Sequence, residues 1–224
     1  MNYYPIFLRV AGRPCLVIGG GSVAEQKVES LLKAVARVTV ISPQLTPGLR
    51  ALAARDQIIH QERAYRAGDL TGFFLAYAAT DDATLHAQIA AEADAAGVLL
   101  NVVDRPHLCH FIVPSVMQRG DLTIATSTGG ASPAMAKRIR RNLEDIFGPE
   151  YALALTLLRR VRQRLATRAC TGSERQCIFN ALIDSPLLEY LRHGQGGAVD
   201  ALLASAVGDD VSLASLGIEL THVS

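Results

Sequence analysis

Residues Cys15 to Ala34 read CLVIGGGSVAEQKVESLLKA, and this stretch decides the fold. The short apolar run Cys15-Leu16-Val17-Ile18 suits a buried strand of a parallel sheet. Three glycines follow, and then Ala24, Val28, Leu31, Leu32 and Val35 fall on one face of a helix. Within the turn, Gly19-Gly20-Gly21-Ser22-Val23-Ala24 spells G-x-G-x-x-A, a permitted variant of the dinucleotide fingerprint. Gly19 allows the tight turn, Gly21 lets the backbone approach a pyrophosphate, and Ala24 lets the helix lie close on the strand. The N–H groups opening the helix then face the phosphates with the positive end of its dipole. Ordinary tight turns also produce this spelling. The strand before it and the helix after it give it a nucleotide-binding meaning. Ser22 and Glu25 also have the spacing of a capping box.

The chain has 224 residues, enough for one large domain or two of ordinary size. Half of them are hydrophobic and the formal net charge is +1, a balance that suggests neither nucleic acid nor a membrane as partner. No apolar run approaches the ~18 residues that span a bilayer. The opening MNYYPIFLRVAGRP lacks the charged-then-apolar layout of a signal peptide. Cys15, Cys109, Cys170 and Cys177 show no C-x-x-C spacing, and Cys15 falls in an expected buried strand. The chain therefore reads as a reduced, cytoplasmic protein without a disulfide framework.

Tyr3 to Leu8 suggests a short edge strand before the turn Gly12-Arg13-Pro14. After the fingerprint, Ala36–Ile41 is the second strand, and Thr46-Pro47 opens a short helix to about Ala54. Gln57–Gln61 reads as a third strand at an edge, and Phe73–Ala79 as a fourth, buried on both faces. Asp81 or Asp82 caps a helix with Leu85, Ile89 and Ala93 inward, closed by Gly97, and Val98–Val103 is the fifth strand. Strand alternating with helix means βαβ units and a Rossmann-type parallel sheet, an α/β fold. The rhythm changes after Pro106. Phe111–Pro114 and Leu122–Thr126 read as strands with no helix between them. Ser132-Pro133 opens a helix with Ala136, Ile139, Leu143 and Ile146 on one face, stopped by Gly148-Pro149. Tyr151–Leu165 is a further helix, and weaker amphipathic segments follow at Ile178–Leu191 and Val199–Val207. The last dozen residues carry no clear assignment.

In NAD-binding Rossmann units an acid about 20 residues past the glycines usually holds the ribose hydroxyls. Here the second strand ends at Ile41-Ser42-Pro43-Gln44, with neither an acid nor an Arg to receive a 2′-phosphate. Ser42 or Gln44 could hydrogen-bond the ribose, and the motif alone leaves NAD against NADP open.

The ordered set PIF, GGGSVAEQK, VISP, AYAATDD, NVVDRP, FIVPS and STGGASPAMAKRIR resembles the N-terminal module of siroheme synthases. These are precorrin-2 dehydrogenases and sirohydrochlorin ferrochelatases. The likeness is strong over roughly residues 1–150 and looser in the helical tail. It implies an NAD-binding Rossmann domain at 1–110, a dimerisation region at 111–149 and a small helical domain at 150–224. It also implies a homodimer that oxidises precorrin-2 to sirohydrochlorin with NAD. Some members also insert Fe²⁺ to give siroheme. The chain ends at Ser224, so the methyltransferase of the fused enzymes is expected to be a separate protein. Relatives commonly carry Ala-Gly-Ala where this chain has Ala34-Val35-Ala36. A valine at the left-handed helix terminus would be strained, so either the helix ends differently or strain is present.

The expected cofactor contacts are Gly19, Gly20, Gly21, Ser22, Val23, Ala24, Ser42, Pro43, Gln44, and Thr80 and Asn101 at strand ends. Dehydrogenation needs a hydride acceptor, which the nicotinamide supplies, a route for a proton, and a grip on several carboxylates. Asp104 follows the fifth strand at the carboxyl edge, where ligands bind in open α/β sheets. Position alone leaves a catalytic aspartate and a turn aspartate equally open; the resemblance assigns it catalysis and chelation. Thr128 matches the family's hydroxyl-bearing loop near the tetrapyrrole, while Ser132 reads as a helix cap. Lys137 and Arg138, with Arg140 and Arg141, and then Arg159, Arg160, Arg162 and Arg164, could fork onto substrate carboxylates or form solvated faces. No aromatic residues interleave them as single-strand binding would want. His107-Leu108-Cys109-His110 is too tight for a closed zinc site; a passing Fe²⁺ contact and an ordinary strand start both remain open. A non-catalytic tetrapyrrole or dinucleotide carrier or sensor on the same fold is the alternative, since fold does not fix function.

Overall fold

The computed structural model describes residues 3–220 and divides into two compact units, with the boundary between Val113 and Pro114. The first unit holds β1 (Pro14–Ile18), α1 (Ser22–Lys33), β2 (Arg37–Ile41), α2 (Pro47–Ala54) and β3 (Ile59–Gln61). It continues with β4 (Leu75–Ala78), α3 (Ala83–Ala96) and β5 (Leu99–Val102). The five strands are parallel in the order β3-β2-β1-β4-β5. Chain order reverses at β1, so the crevice beyond the carboxyl ends of β1 and β4 is a topological switch point.

Alternate residues of β1 feed two cores. Cys15 and Val17 pack with Ala24, Val28, Val38, Val40 and Leu49 on one face. Leu16 and Ile18 pack with Ala76, Ala78, Ile89 and Leu100 on the other. Every residue of β4 is buried, as its unbroken apolar run requires. Burial pushes the Cys15 thiol up to about 11, and all four cysteines are free. Thr46 caps α2 by accepting the Leu49 N–H at 3.2 Å, and Asp82 caps α3 by accepting from Thr84 and Leu85.

Three expectations for this unit change. Tyr3 to Leu8 is not a strand; Ile6 and Phe7 are 62% and 75% exposed, and no ladder satisfies that backbone. Ser22 and Glu25 form no capping box, because Gly21 is the N-cap and Ser22 the first helical residue. Val35 is not on the inward face but 69% exposed, with φ +60°. The Ala36 N–H donates to Leu31 and the Val35 N–H to Leu32, a Schellman closure with valine in the left-handed position. Strain is therefore present there.

The second unit opens with a hairpin of β6 (Ser115–Arg119) and β7 (Leu122–Thr126) around Gly120-Asp121. Five helices follow: α4 (Pro133–Ile146), α5 (Glu150–Ala166), α6 (Gly172–Ile183), α7 (Leu187–Arg192) and α8 (Gly196–Val207). Pairing begins at Ser115, so the strand expected at Phe111–Pro114 is displaced: Pro114 has no N–H to give a ladder. Phe111 packs edge-on to Tyr77 instead, at 5.7 Å between ring centres. The segment Ile178–Leu191 is two helices, because the Ser185 hydroxyl and Pro186 end one and start the next. Leu157, Val161, Leu182, Leu191 and Leu203 form the helical core, joined by Val211, Leu213 and Leu216 from the tail. Residues 221–224 of that tail lie outside the described residues.

Candidate functional site

The crevice at the switch point is a cleft of about 540 Å³, lined by Gly19, Gly20, Gly21, Ser42, Gln44 and Thr80 among others. Its three glycines have different reasons to lack a side chain. Gly19 sits at φ +117°, and a Cβ there would run into the Ala79 carbonyl. A Cβ on Gly20 would strike the Gln44 carbonyl and the Ser42 hydroxyl, and the Gly20 carbonyl accepts the Thr46 N–H at 3.0 Å. Gly21 has ordinary φ, and a Cβ on it would meet nothing within 4 Å. The protein itself makes no demand for glycine at that position. The open space before it and the uncapped N-terminus of α1 fit a pyrophosphate. Ala24 is fully buried, so α1 lies close on the sheet, while Ser22 and Val23 are exposed.

The rim beyond β2 carries no charge of its own. Ser42 is buried and its hydroxyl donates to the Gln44 carbonyl at 2.7 Å. Pro43 and Gln44 are exposed beside it. Ala64 and Tyr65 also line the cleft, on a loop fixed by two acids. Asp69 takes both terminal nitrogens of Arg63, and that hydrogen-bonded pairing lowers the carboxyl and raises the guanidinium. Glu92 accepts the Tyr65 hydroxyl at 2.6 Å and the Gly68 N–H at 2.8 Å.

On the opposite lip, Thr80 is held by a residue that sequence reasoning missed. His86 is 4% exposed, and its Nε2 lies 2.8 Å from the Thr80 carbonyl and 3.3 Å from its hydroxyl. Its buried Nδ1 has no partner among the described residues. The signal was available, since His86 precedes Ile89 and Ala93 by three and seven positions on the same helix face.

Asp104 lies at the same sheet edge, just past β5. The Arg105 N–H donates to the Val102 carbonyl at 3.3 Å, closing a turn in which Asp104 takes φ +59°. Its carboxylate is exposed and makes no hydrogen bond or ion pair among the described residues. Asn101 turns its amide to the Phe111 carbonyl at 2.9 Å. His107 is exposed on a single 3-10 turn, Pro106–Leu108, so these residues do not start a strand. His110 engages Asp94 at 2.8 Å, and Cys109 faces backbone.

In the second unit, the Thr128 hydroxyl donates to the Ser132 carbonyl and accepts the Ser132 N–H at 3.0 Å. Ser132 caps α4 through the Met135 N–H. Lys137 and Arg138 are exposed on α4 with no ion pair among the described residues. Several of the arginines are already engaged. Arg140 pairs with Glu144, Arg159 with Asp121 and Arg164 with Asp210, while Arg162 lies over the Phe179 ring at 5.2 Å.

No helix among the described residues is long and apolar enough to cross a membrane. Residues 6–115 match the NAD(P)-binding family, and residues 119–146 match the central region of sirohaem biosynthesis proteins. The siroheme synthase of Thioalkalivibrio sulfidiphilus is 36% identical over 220 residues, which are 98% of this chain and 45% of that protein. That of Methylobacillus flagellatus is 37% identical over 195 residues, 87% of this chain and 42% of its own length. This chain thus spans about half the length of the curated relatives it matches. Among solved structures, the precorrin-2 dehydrogenase SirC superposes with a TM-score of 0.71 at 25% identity, over 84% of this chain and 92% of that one. A dinucleotide cradle left open at Gly21, followed directly by the sirohaem central region, agrees with relatives of one kind along nearly the whole chain: it is similar throughout to the N-terminal half of siroheme synthases.

Proposed function

We propose that this chain is a cytoplasmic, NAD-dependent dehydrogenase that oxidises precorrin-2 to sirohydrochlorin on the way to siroheme. One observation carries the reading. An exposed carboxylate with no ion pair among the described residues, Asp104, is held in a left-handed turn at the sheet edge onto which the glycine cradle opens. Uncommon backbone of this kind gathers at functional sites.

The work is divided among separate groups. The N–H groups after Gly21 hold the pyrophosphate, and Ser42, Pro43 and Gln44 border the adenosine ribose. Thr80, fixed by His86, borders the cleft on the β4 side. NAD, when bound, supplies the hydride acceptor. The macrocycle loses two hydrogens, one as hydride and one as a proton. Asp104 accepts the proton at its carboxylate, help typically worth ~10²–10⁴-fold. Thr128, Lys137 and Arg138 are assigned to the substrate's carboxylates, for which the two cations have no competing ion pair among the described residues. Residues 111–149 are assigned to a two-fold interface of a homodimer.

Insertion of Fe²⁺ as a substrate would require two pyrrolic protons to leave, and Asp104 is the carboxylate placed to take them. Absorbance spectra after mixing protein, precorrin-2 and NAD test the dehydrogenation, and adding Fe²⁺ afterwards tests the chelation on the same preparation. Asn tolerates the left-handed turn as Asp does. Asp104→Asn should therefore keep the fold and NAD affinity and depress both rates, chelation more than dehydrogenation. Wild-type rates in that variant would remove Asp104 from the reaction. Absence of NADH formation by the wild type would leave the carrier or sensor as the reading.

A further inference from the structure

After β5 the chain doubles back along the free edge of that strand, where one backbone N–H and two side chains stand in place of a sixth strand. The His110 N–H donates to the Leu100 carbonyl at 2.9 Å, and the Leu100 N–H reaches His110 Nδ1 at 3.2 Å. Cys109 sits one residue earlier. Its Sγ accepts the Val102 N–H at 3.2 Å, while its S–H faces the Val102 carbonyl at 3.2 Å and the Arg105 carbonyl at 3.3 Å. Val102 and Arg105 are the first and last residues of the turn that carries Asp104. A thiol has one hydrogen, so the two carbonyls share it, and both ends of the turn are tied to one sulfur. Burial raises the thiol's pKa despite the Val102 N–H, which favours the protonated form that can donate.

We propose that Cys109 is a positioning residue for Asp104: its S–H bridges the two ends of the Val102–Arg105 turn and sets where the carboxylate stands at the sheet edge. The proposal rests on Asp104 being the proton acceptor of the dehydrogenation proposed above. A turn closed by a single backbone hydrogen bond of 3.3 Å leaves its tip poorly fixed, and the sulfur adds the second closure. Small misplacements of a reacting group are expensive in rate, which gives a weak hydrogen bond leverage here that it lacks in the stability of the fold.

The test compares Cys109→Ala, which removes donor and acceptor, with Cys109→Ser, which keeps a hydroxyl for the same carbonyls. NAD affinity is measured on each variant by calorimetric titration to show that the first unit is intact. Cys109→Ala should lower kcat for precorrin-2 oxidation by about tenfold, less than outright removal of a base, while KM and NAD affinity hold. Cys109→Ser should recover most of that rate. In an Asp104→Asn background Cys109→Ala should have no further effect, because the group it positions is gone. Three results overturn the proposal: a wild-type rate in Cys109→Ala, a serine variant no better than alanine, or the same tenfold loss repeated on top of Asp104→Asn. If the alanine chain does not fold, the serine chain decides alone: kcat near wild type upholds the role, and a tenfold loss overturns it. A wild-type rate in Asp104→Asn by itself is a different failure, since it withdraws the reading of Asp104 whatever Cys109 does.

Discussion

Gly21 is the residue at which the cofactor reading is most directly exposed to test. A side chain there meets no protein atom within 4 Å and points into space the pyrophosphate would use. Gly21→Asp should leave the thermal transition in place and abolish NAD binding by bulk and by like charge; unchanged affinity by calorimetric titration would overturn the assignment. Gly20→Ala should behave in the opposite way and disturb the turn itself, because its Cβ would strike the Gln44 carbonyl. The fingerprint and Asp104 were legible because turn and strand-end residues announce themselves locally. The helix face marks His86 as an inward residue, but its hold on Thr80, like the role of Cys109, was not legible. Each acts by a side-chain bond to a backbone carbonyl, of Thr80 in one case and of Val102 and Arg105 in the other, and such a bond leaves no periodic trace.

The end of α1 shows how an element can keep its form at some cost in stability. Val35 completes a Schellman closure at φ +60°, where a β-branched residue is crowded by its own backbone. The left-handed conformation costs about 1–2 kcal/mol for a residue with a Cβ, and glycine gives back part of that through unfolded-chain entropy. Val35→Gly should therefore stabilise the first unit by about 0.5–1 kcal/mol, read as a higher midpoint in urea at constant slope. A lower midpoint would show that the valine side chain makes up for its backbone. In the second unit, Asp210 joins Arg164 and Arg168 at the end of α5 to the segment after α8. Its hydrogen bonds to Arg168 and then Arg164 hold its carboxyl down from 3.8 to about 2. A depressed carboxyl contributes fully above its ordinary value, and that contribution is lost as pH falls from 3.8 through about 2. Asp210→Asn should flatten the acid side of the stability–pH profile across that window; an unchanged slope would mean that solvent screens the pair. The alternating βαβ segments were readable from their caps and apolar runs. The hairpin start at Ser115 was not, because Phe111 to Val113 has strand-like composition but no partner strand among the described residues.

At the scale of the molecule, each unit carries its own core. Two clusters lie one on each face of the sheet, and a third lies among α5 to α8. Residues 1–113 expressed alone should fold and bind NAD; a fragment without a cooperative transition would show that the sheet depends on the second unit. The proposed homodimer is assigned to another region. Val116 on β6 and Met135, Ile139 and Ile146 on α4 are 44%, 54%, 38% and 59% exposed, more large apolar surface than a hairpin and one helix ordinarily leave in water. A homodimer built on this region should scatter light at twice the chain mass at micromolar concentration, and Ile139→Glu should return it to a monomer. A wild-type monomer would refute the interface. The α4 stripe was visible in the sequence as a helix face, but a stripe says only that something covers it, and a single chain cannot show what.

The glycine turn also bears on how this module would age if it ever ceased to use a dinucleotide. Gly19 and Gly20 answer to the Ala79 and Gln44 carbonyls, so drift would be barred from them for as long as the chain folds at all. Gly21 answers to nothing but an occupant. A descendant that had become a carrier or a scaffold would therefore still spell two-thirds of the fingerprint, and a search by motif would still retrieve it. The vocation of such a chain would be written in its third glycine alone, the first letter free to change.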